Sequence, residues 1–173
     1  PLWAKPNAAH KKLAQWERAG RLRAVVTQNI DGLHQAAGSK TVYELHGSIH
    51  ENRCLSCGRK FSAEEIARSE GVPRCPCGGI VKPSVVLYGE PLDGRVVEGA
   101  VNAIASADTL IVAGTSLTVY PAASFVDFFR GDDLVLINRD RTPLDGKCTL
   151  VLHENVGEAL GALPSFLPEE EQS

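Results

Sequence analysis

Four thiols and an imidazole are where the chemistry of this sequence begins. Cys54 and Cys57 form a C-x-x-C pair, and Cys75 and Cys77 a C-x-C pair. Four thiolates satisfy tetrahedral zinc. A closed four-sulfur set leaves no position for water, so the metal it implies is structural rather than catalytic. Gly58, Gly78 and Gly79 supply the tight turns that a metal knuckle needs. The C-x-C half is one residue shorter than the usual spacing, so disulfides or unligated thiols stand as competing readings. Cys148 is left over, and a small buried residue in a strand is a simpler reading than a reactive thiol.

His46 follows the alternating segment Val42-Tyr43-Glu44-Leu45 and precedes Gly47, which places an imidazole at a strand end beside a permissive backbone. The polar cluster Gln28-Asn29-Ile30-Asp31 follows the apolar run Ala24-Val25-Val26, so it too sits at the carboxyl end of a buried strand, where open α/β sheets bind ligands. An imidazole in that company is a candidate general base, against the plainer reading of a hydrogen-bonded polar residue. Asp31 is either a ligand contact or the cap of the following helix, and Asn29 either a contact or a turn former. Gly114-Thr115-Ser116, directly after a buried strand, offers backbone N–H groups and two hydroxyls as a phosphate seat. Asn138, ending the next strand, either holds a ribose hydroxyl or turns the chain. Two adjacent strand ends with polar residues suggest one long ligand, such as a dinucleotide, lying across the sheet. His10, His34, His50 and His153 lack such neighbours and are read as ordinary helix-face or partly exposed residues.

The elements that must position these groups alternate between helix and strand. Asn7 opens a helix of about three turns, apolar at Ala9, Leu13 and Trp16 and stopped by Gly20. A strand follows over Arg21 to Val26, then a short helix over Asp31 to Ala37. Between Cys54 and Val81 large apolar residues are scarce, so that segment needs a metal staple to fold; Ser62 with Glu65 forms a capping box inside it. Ser84 to Tyr88 reads as a strand starting after Pro83, which lacks the donor to continue a ladder. Val96 to Ala105 is an amphipathic helix, Thr109 to Ala113 and Leu134 to Ile137 are buried strands, and a helix spans about Pro121 to Phe129. Thr149 to Leu152 and Val156 to Leu163 give a last strand and helix, and the acidic tail from Pro168 is predicted to fray. This alternation is the signature of βαβ units.

With 173 residues, 43% of them hydrophobic, the chain suits one main domain with a small insertion. The formal charge of −3 and pI near 6.0 argue against a nucleic-acid partner, including the reading of the cysteine segment as a nucleic-acid ribbon. No apolar run approaches the ~20 residues of a bilayer span, and no signal peptide is visible, so the expectation is no membrane association and a cytoplasmic location.

Taken together, these residues resemble the sirtuin family of NAD-dependent protein deacylases. PNAAH, TQNIDGLH, the His46-Gly47 dipeptide, the two cysteine pairs, KPSVVLYGE, GTSLTVYP and LINRD come in the family's order, over Pro6 to about Leu163. The resemblance implies an α/β fold: a Rossmann-like parallel sheet with helices on both faces (residues 1–47 and 83–165) binding NAD, plus a small module (48–82) holding one structural zinc. It implies His46 as general base, with Asn29 beside it at the reaction centre. Gln28, Asn29, Ile30 and Asp31 match the nicotinamide end of the cofactor site. Gly114, Thr115 and Ser116 match further cofactor contacts. Asn138, Arg139 and Asp140 match the adenosine ribose end, and Asn155 by position the adenine. Val86, Gly89, Glu90 and Val119 match the strands between which an acyl-lysine peptide adds as a β-strand. The activity implied is removal of acetyl or related groups from protein lysines, giving nicotinamide and O-acyl-ADP-ribose. Mono-ADP-ribosyl transfer from the same pocket is the alternative within enzymes. The family also carries a glycine-rich loop and a cofactor-binding loop ahead of PNAAH that this sequence does not include. The expectation is therefore that the 173-residue polypeptide alone is poorly active or inactive, and a zinc-stapled binding module is the alternative outside enzymes. Tyr88 stands where the family often has Phe.

Overall fold

Local signals start the first helix where the sequence places it. The computed structural model describes residues 4–166, so the acidic tail Pro168–Ser173 lies outside the described residues. Helix α1 (Ala8–Arg18) opens on a reciprocal cap: Asn7 Oδ1 accepts from the His10 N–H at 3.1 Å and His10 Nδ1 accepts from the Asn7 N–H at 3.3 Å. The N–H groups of Arg21 and Leu22 turn back to the Trp16 carbonyl at 2.8 and 3.1 Å. The predicted strand Arg21–Val26 is therefore spent partly on the helix exit, and β1 is Val25–Thr27, paired in parallel with β2 (Val42–Glu44). Helix α2 (Leu33–Ala36) is shorter than the predicted Asp31–Ala37 because Gly32 takes φ +67°, with Asp31 Oδ1 accepting from the Leu33 N–H at 3.0 Å.

A second parallel group runs β6 (Thr109–Ala113), β7 (Asp133–Ile137), β8 (Leu150–Leu152) in that order. Its residues alternate between two covered faces. Ile111, Ala113, Val135 and Ile137 pack with Ala9 and Trp16 of α1 and with Leu160 of α5 (Val156–Gly161). Val112, Leu134 and Leu136 pack on the other side against Leu117, Val126 and Leu144. Burial on both faces explains the unbroken apolar runs, and each fully buried side chain such as Leu136 contributes about 1.5–3 kcal/mol. Among the described residues the two parallel groups share no ladder. Side chains join them: Ala100 and Ile104 of α4 (Gly94–Ala105), with Phe125, form one cluster with Leu45 that also takes in Val26 and Leu110.

The predicted helix Pro121–Phe129 is a 3-10 helix, Ala122–Phe128. The sequence placed a helical segment here but not its tighter winding, and Phe125 is its buried aromatic. Cys148 is not in a strand. It follows the 3-10 turn Asp145–Lys147, its Sγ donates to the Leu144 carbonyl at 3.3 Å, and burial pushes the thiol pKa up.

The third sheet is antiparallel, ordered β4 (Lys60–Phe61), β3 (Gly47–Cys54), β5 (Val81–Val85). Ser62 and Glu65 make the predicted capping box of α3 (Ala63–Ala67). The expected strand Ser84–Tyr88 is displaced: β5 runs through Pro83 and stops at Val85. Proline is tolerated because β5 is an edge strand and the register of β3 slips between Ser48 and Asn52, just where Pro83 pairs. The whole is a Rossmann-like α/β fold with a small antiparallel lobe. Among the described residues no helix is long and apolar enough to cross a membrane.

Candidate functional site

Hairpin geometry brings the four thiols together. Cys54 ends β3 and Cys57 lies in the turn beyond it, while Cys75 precedes a turn closed by the Gly78 N–H on the Cys75 carbonyl at 2.8 Å. The Sγ atoms lie within 4.8 Å of one another, with Cys54–Cys77 at 3.5 Å, Cys57–Cys75 at 3.6 Å and Cys57–Cys77 at 3.4 Å. A tetrahedron with Zn–S near 2.3 Å has edges of about 3.8 Å, so this set fits one zinc. Proton chemistry agrees. N–H bonds from Cys57 and Ser56 draw the Cys54 pKa down to about 6. At Cys77 a bond from Gly79 favours the thiolate, but the three neighbouring sulfurs prevail and push it up to about 12. One thiolate forms readily, and four together call for a dication in place of the protons.

His46 sits between β2 and β3, half-buried. Its Nδ1 lies 3.0 Å from the Gln28 carbonyl oxygen. A carbonyl only accepts, so Nδ1 carries the proton of the neutral ring and Nε2 keeps a free lone pair. That is the tautomer a general base needs. Gly47 takes φ +74°, and a Cβ there would stand 1.9 Å from the Ser84 carbonyl oxygen, so only glycine lets β5 approach this closely behind the imidazole. The His46 carbonyl accepts from the Val86 N–H at 3.0 Å.

Around it the β1 end is ordered by its own polar atoms. The Asn29 N–H donates to Thr27 Oγ1 at 3.0 Å, leaving the exposed side-chain amide directed by a turn. The Ile30 carbonyl accepts from the Ile49 N–H at 3.0 Å, and the Asp31 carbonyl accepts from His50 Nε2 at 2.8 Å. Gln28 Nε2 reaches toward the Val119 carbonyl at 3.5 Å, so one residue expected at the nicotinamide end meets one expected on the peptide side. Asp31 is not the cap of α2, which is Gly32; its carboxylate closes an Asx turn on the Leu33 N–H just ahead of the helix, and that uses one carboxylate oxygen.

Seven residues expected at the cofactor line one open cleft of about 450 Å³: Gly114, Thr115, Ser116, Asn138, Arg139, Asp140 and Asn155. Asn138 Nδ2 donates to the Asp140 carbonyl at 2.8 Å, and Asn155 caps α5 through Gly157 at 2.8 Å. The cleft also includes Asn7, Arg141, Glu154 and Gly157, which sequence reasoning did not assign to it. Asn7 was legible as a helix cap, and only its place in the PNAAH stretch hinted at more. Gln28 to Asp31 lie outside this cleft, at the neighbouring strand end with His46. Of the peptide-side residues, Val86 is part-buried, whereas Gly89, Glu90 and Val119 are exposed.

Known proteins share this arrangement. The Sir2 family profile matches residues 1–121. An NAD-dependent protein deacetylase of Clostridium acetobutylicum is 57% identical over 159 residues, covering 91% of this chain and 65% of that protein. One from Cutibacterium acnes is 55% identical over 160 residues, covering 92% and 66%. The chain thus spans just under two thirds of the length of these relatives. A solved structure described as "Sir2 bound to acetylated peptide" superposes with a TM-score of 0.84 at 40% identity, covering 92% of this chain and 69% of that one. Motif order, backbone and cysteine cluster agree with a profile covering well over half the residues, and the chain belongs to the Sir2 family.

Proposed function

We propose that this chain carries the base, cofactor-contacting strand ends and zinc lobe of an NAD-dependent protein-lysine deacylase. The observation that carries the reading is the His46 ring, fixed by the Gln28 carbonyl with Nε2 free beside the Gln28–Asp31 strand end. NAD, when bound, would supply the ribose carbon that takes the acyl oxygen as nicotinamide leaves, and one water would complete the cleavage of the amide to free lysine and O-acyl-ADP-ribose. His46 Nε2 takes the proton from a ribose hydroxyl. Asn29 and Asp31 orient the sugar from the β1 end, with Gln28 and Ile30 around the nicotinamide. Gly114, Thr115, Ser116, Asn138, Arg139, Asp140 and Asn155 hold the adenosine half in the cleft they line. The acyl-lysine segment enters between the Val86–Gly89 edge and Val119 as an added strand.

The division into an NAD-binding unit (1–47 and 83–165) and a zinc module (48–82) is supported by the separate antiparallel sheet from Gly47 to Val85, which overruns the second limit by three residues. Cys54, Cys57, Cys75 and Cys77 hold one structural zinc that shapes the lobe and takes no part in bond making. A thiol set suited to metal supports a cytoplasmic setting, and the net charge of −3 supports protein rather than nucleic-acid substrates.

The test is nicotinamide release by the full-length protein with NAD and an acetyl-lysine peptide. Release is expected only with peptide and in step with loss of the acetyl group, and His46→Ala should lower kcat by about 10²–10⁴-fold with zinc retained. Peptide-independent release with ADP-ribose appearing on protein would point to transferase chemistry instead.

A further inference from the structure

The carboxylate of Glu90, matched above to the peptide side, is engaged by groups of its own segment. Lys82 Nζ lies 2.8 Å from both of its oxygens, and Oε2 also accepts from the Leu87 N–H at 2.9 Å. Lys82 Nζ additionally donates to the Val85 carbonyl at 3.2 Å, and the Glu90 N–H donates to the Leu87 carbonyl at 2.9 Å. These bonds close the chain from the middle of β5 to the end of the loop that follows it. The outer side of that loop is bare: Leu87 is 54% exposed and Tyr88 fully so. Its inner side is tied to the candidate base, because the Val86 N–H holds the His46 carbonyl.

We propose that Lys82 and Glu90 form a clamp that fixes the Val86–Glu90 loop as the docking edge for the acyl-lysine peptide, which makes Glu90 a positioning residue rather than a peptide contact. This rests on the deacylase reading above. An isolated surface ion pair does little for stability. This one is two-pronged and grips a backbone N–H and a carbonyl, so its effect falls on the order of one loop. The hydrogen bond from the Lys82 ammonium holds the Glu90 carboxyl below the usual carboxylate range, so Glu90 is a carboxylate at neutral pH. The charges cancel within the clamp, and the loop offers the peptide backbone edges and an aromatic tip instead of a fixed charge.

The experiment compares Glu90→Ala, Lys82→Met and Lys82→Arg with wild type in the full-length, zinc-loaded protein. Four readouts are used: binding of a fluorescent acetyl-lysine peptide by anisotropy, KM against kcat for peptide and NAD, amide exchange of residues 86–90 without substrate, and the melting temperature. Glu90→Ala and Lys82→Met should weaken peptide binding and raise peptide KM about tenfold, as expected for losing a charged hydrogen bond. NAD KM and kcat should change less than about twofold, loop exchange should quicken, and Lys82→Arg should restore all of these. The clamp is overturned if peptide binding is unaffected in both disruptive variants, or if every constant falls together with the melting temperature. If wild type binds the peptide and the variants lose it, but nothing turns over, the clamp stands and the deacylase reading fails.

Discussion

His34 runs the chemistry of His46 in reverse. Its ring lies 4.6 Å from that of His10, its Nδ1 is buried without a partner, and burial with the His10 charge draws its pKa down to about 4 against the opposing pull of Asp31. The folded value lies below the unfolded 6.5, so the unfolded chain binds more protons between pH 6.5 and 4. The contribution is complete above pH 6.5 and is lost as pH falls through that window. Discounted for partial exposure, the loss should be about 1–2 kcal/mol. Urea unfolding of wild type and His34→Leu between pH 7.5 and 4 checks this, and the difference in stability between the two should shift against wild type on acidification. The sequence did not disclose the pair. His10 and His34 stand on separate helices, and only the packing of α1 on α2 joins them, whereas His46 was legible because a strand end and a glycine flank it. What remained hidden at His46 was its tautomer, which depends on a carbonyl eighteen residues upstream.

Among elements, the β3–β5 pair carries the most consequence per residue. Gly47→Ala combines a left-handed φ with a Cβ 1.9 Å from the Ser84 oxygen, and should cost about 3 kcal/mol or more. Thermal melting with peptide-dependent turnover checks it, and both should fall because the same strand crossing carries His46. Caps were the most readable signals: Asn7 and Ser62 lie where the sequence put them, since a cap is a contact within four residues. Strand limits were less so. Pro83 reads as a stop by its missing donor, yet an edge position opposite a register slip removes the objection, and neither edge nor slip is local information. Gly32 similarly shortened α2 by a backbone angle that its neighbours do not dictate.

At the scale of the molecule, seven of the residues expected at the cofactor line one cleft, while Gln28, Asn29, Ile30 and Asp31 lie outside it. The order of motifs did not foretell that the parallel strands fall into two groups joined by side chains, because pairing partners are chosen across the whole chain. Stability is equally uneven. The zinc lobe has a core of Cys54, Cys75 and Val81 with Phe61 and Ile66 against it, whereas α1, α5 and β6–β8 share a much larger one. Structural zinc in small domains is worth roughly 10 kcal/mol or more, so chelation, or Cys75→Ser, should raise amide exchange in β3–β5 by about 100-fold or more and leave β7 protected. Mass-spectrometric exchange before and after chelation decides this. One last consequence belongs to Asn7, which fastens the first turn of α1 with its side chain and also lines the cleft of Gly114 and Asn138. A guest competing for that amide would loosen the cap of a helix whose Ala9 and Trp16 pack with Ile137 and Leu160, so a filled cleft should be readable as faster amide exchange in the first turn of α1.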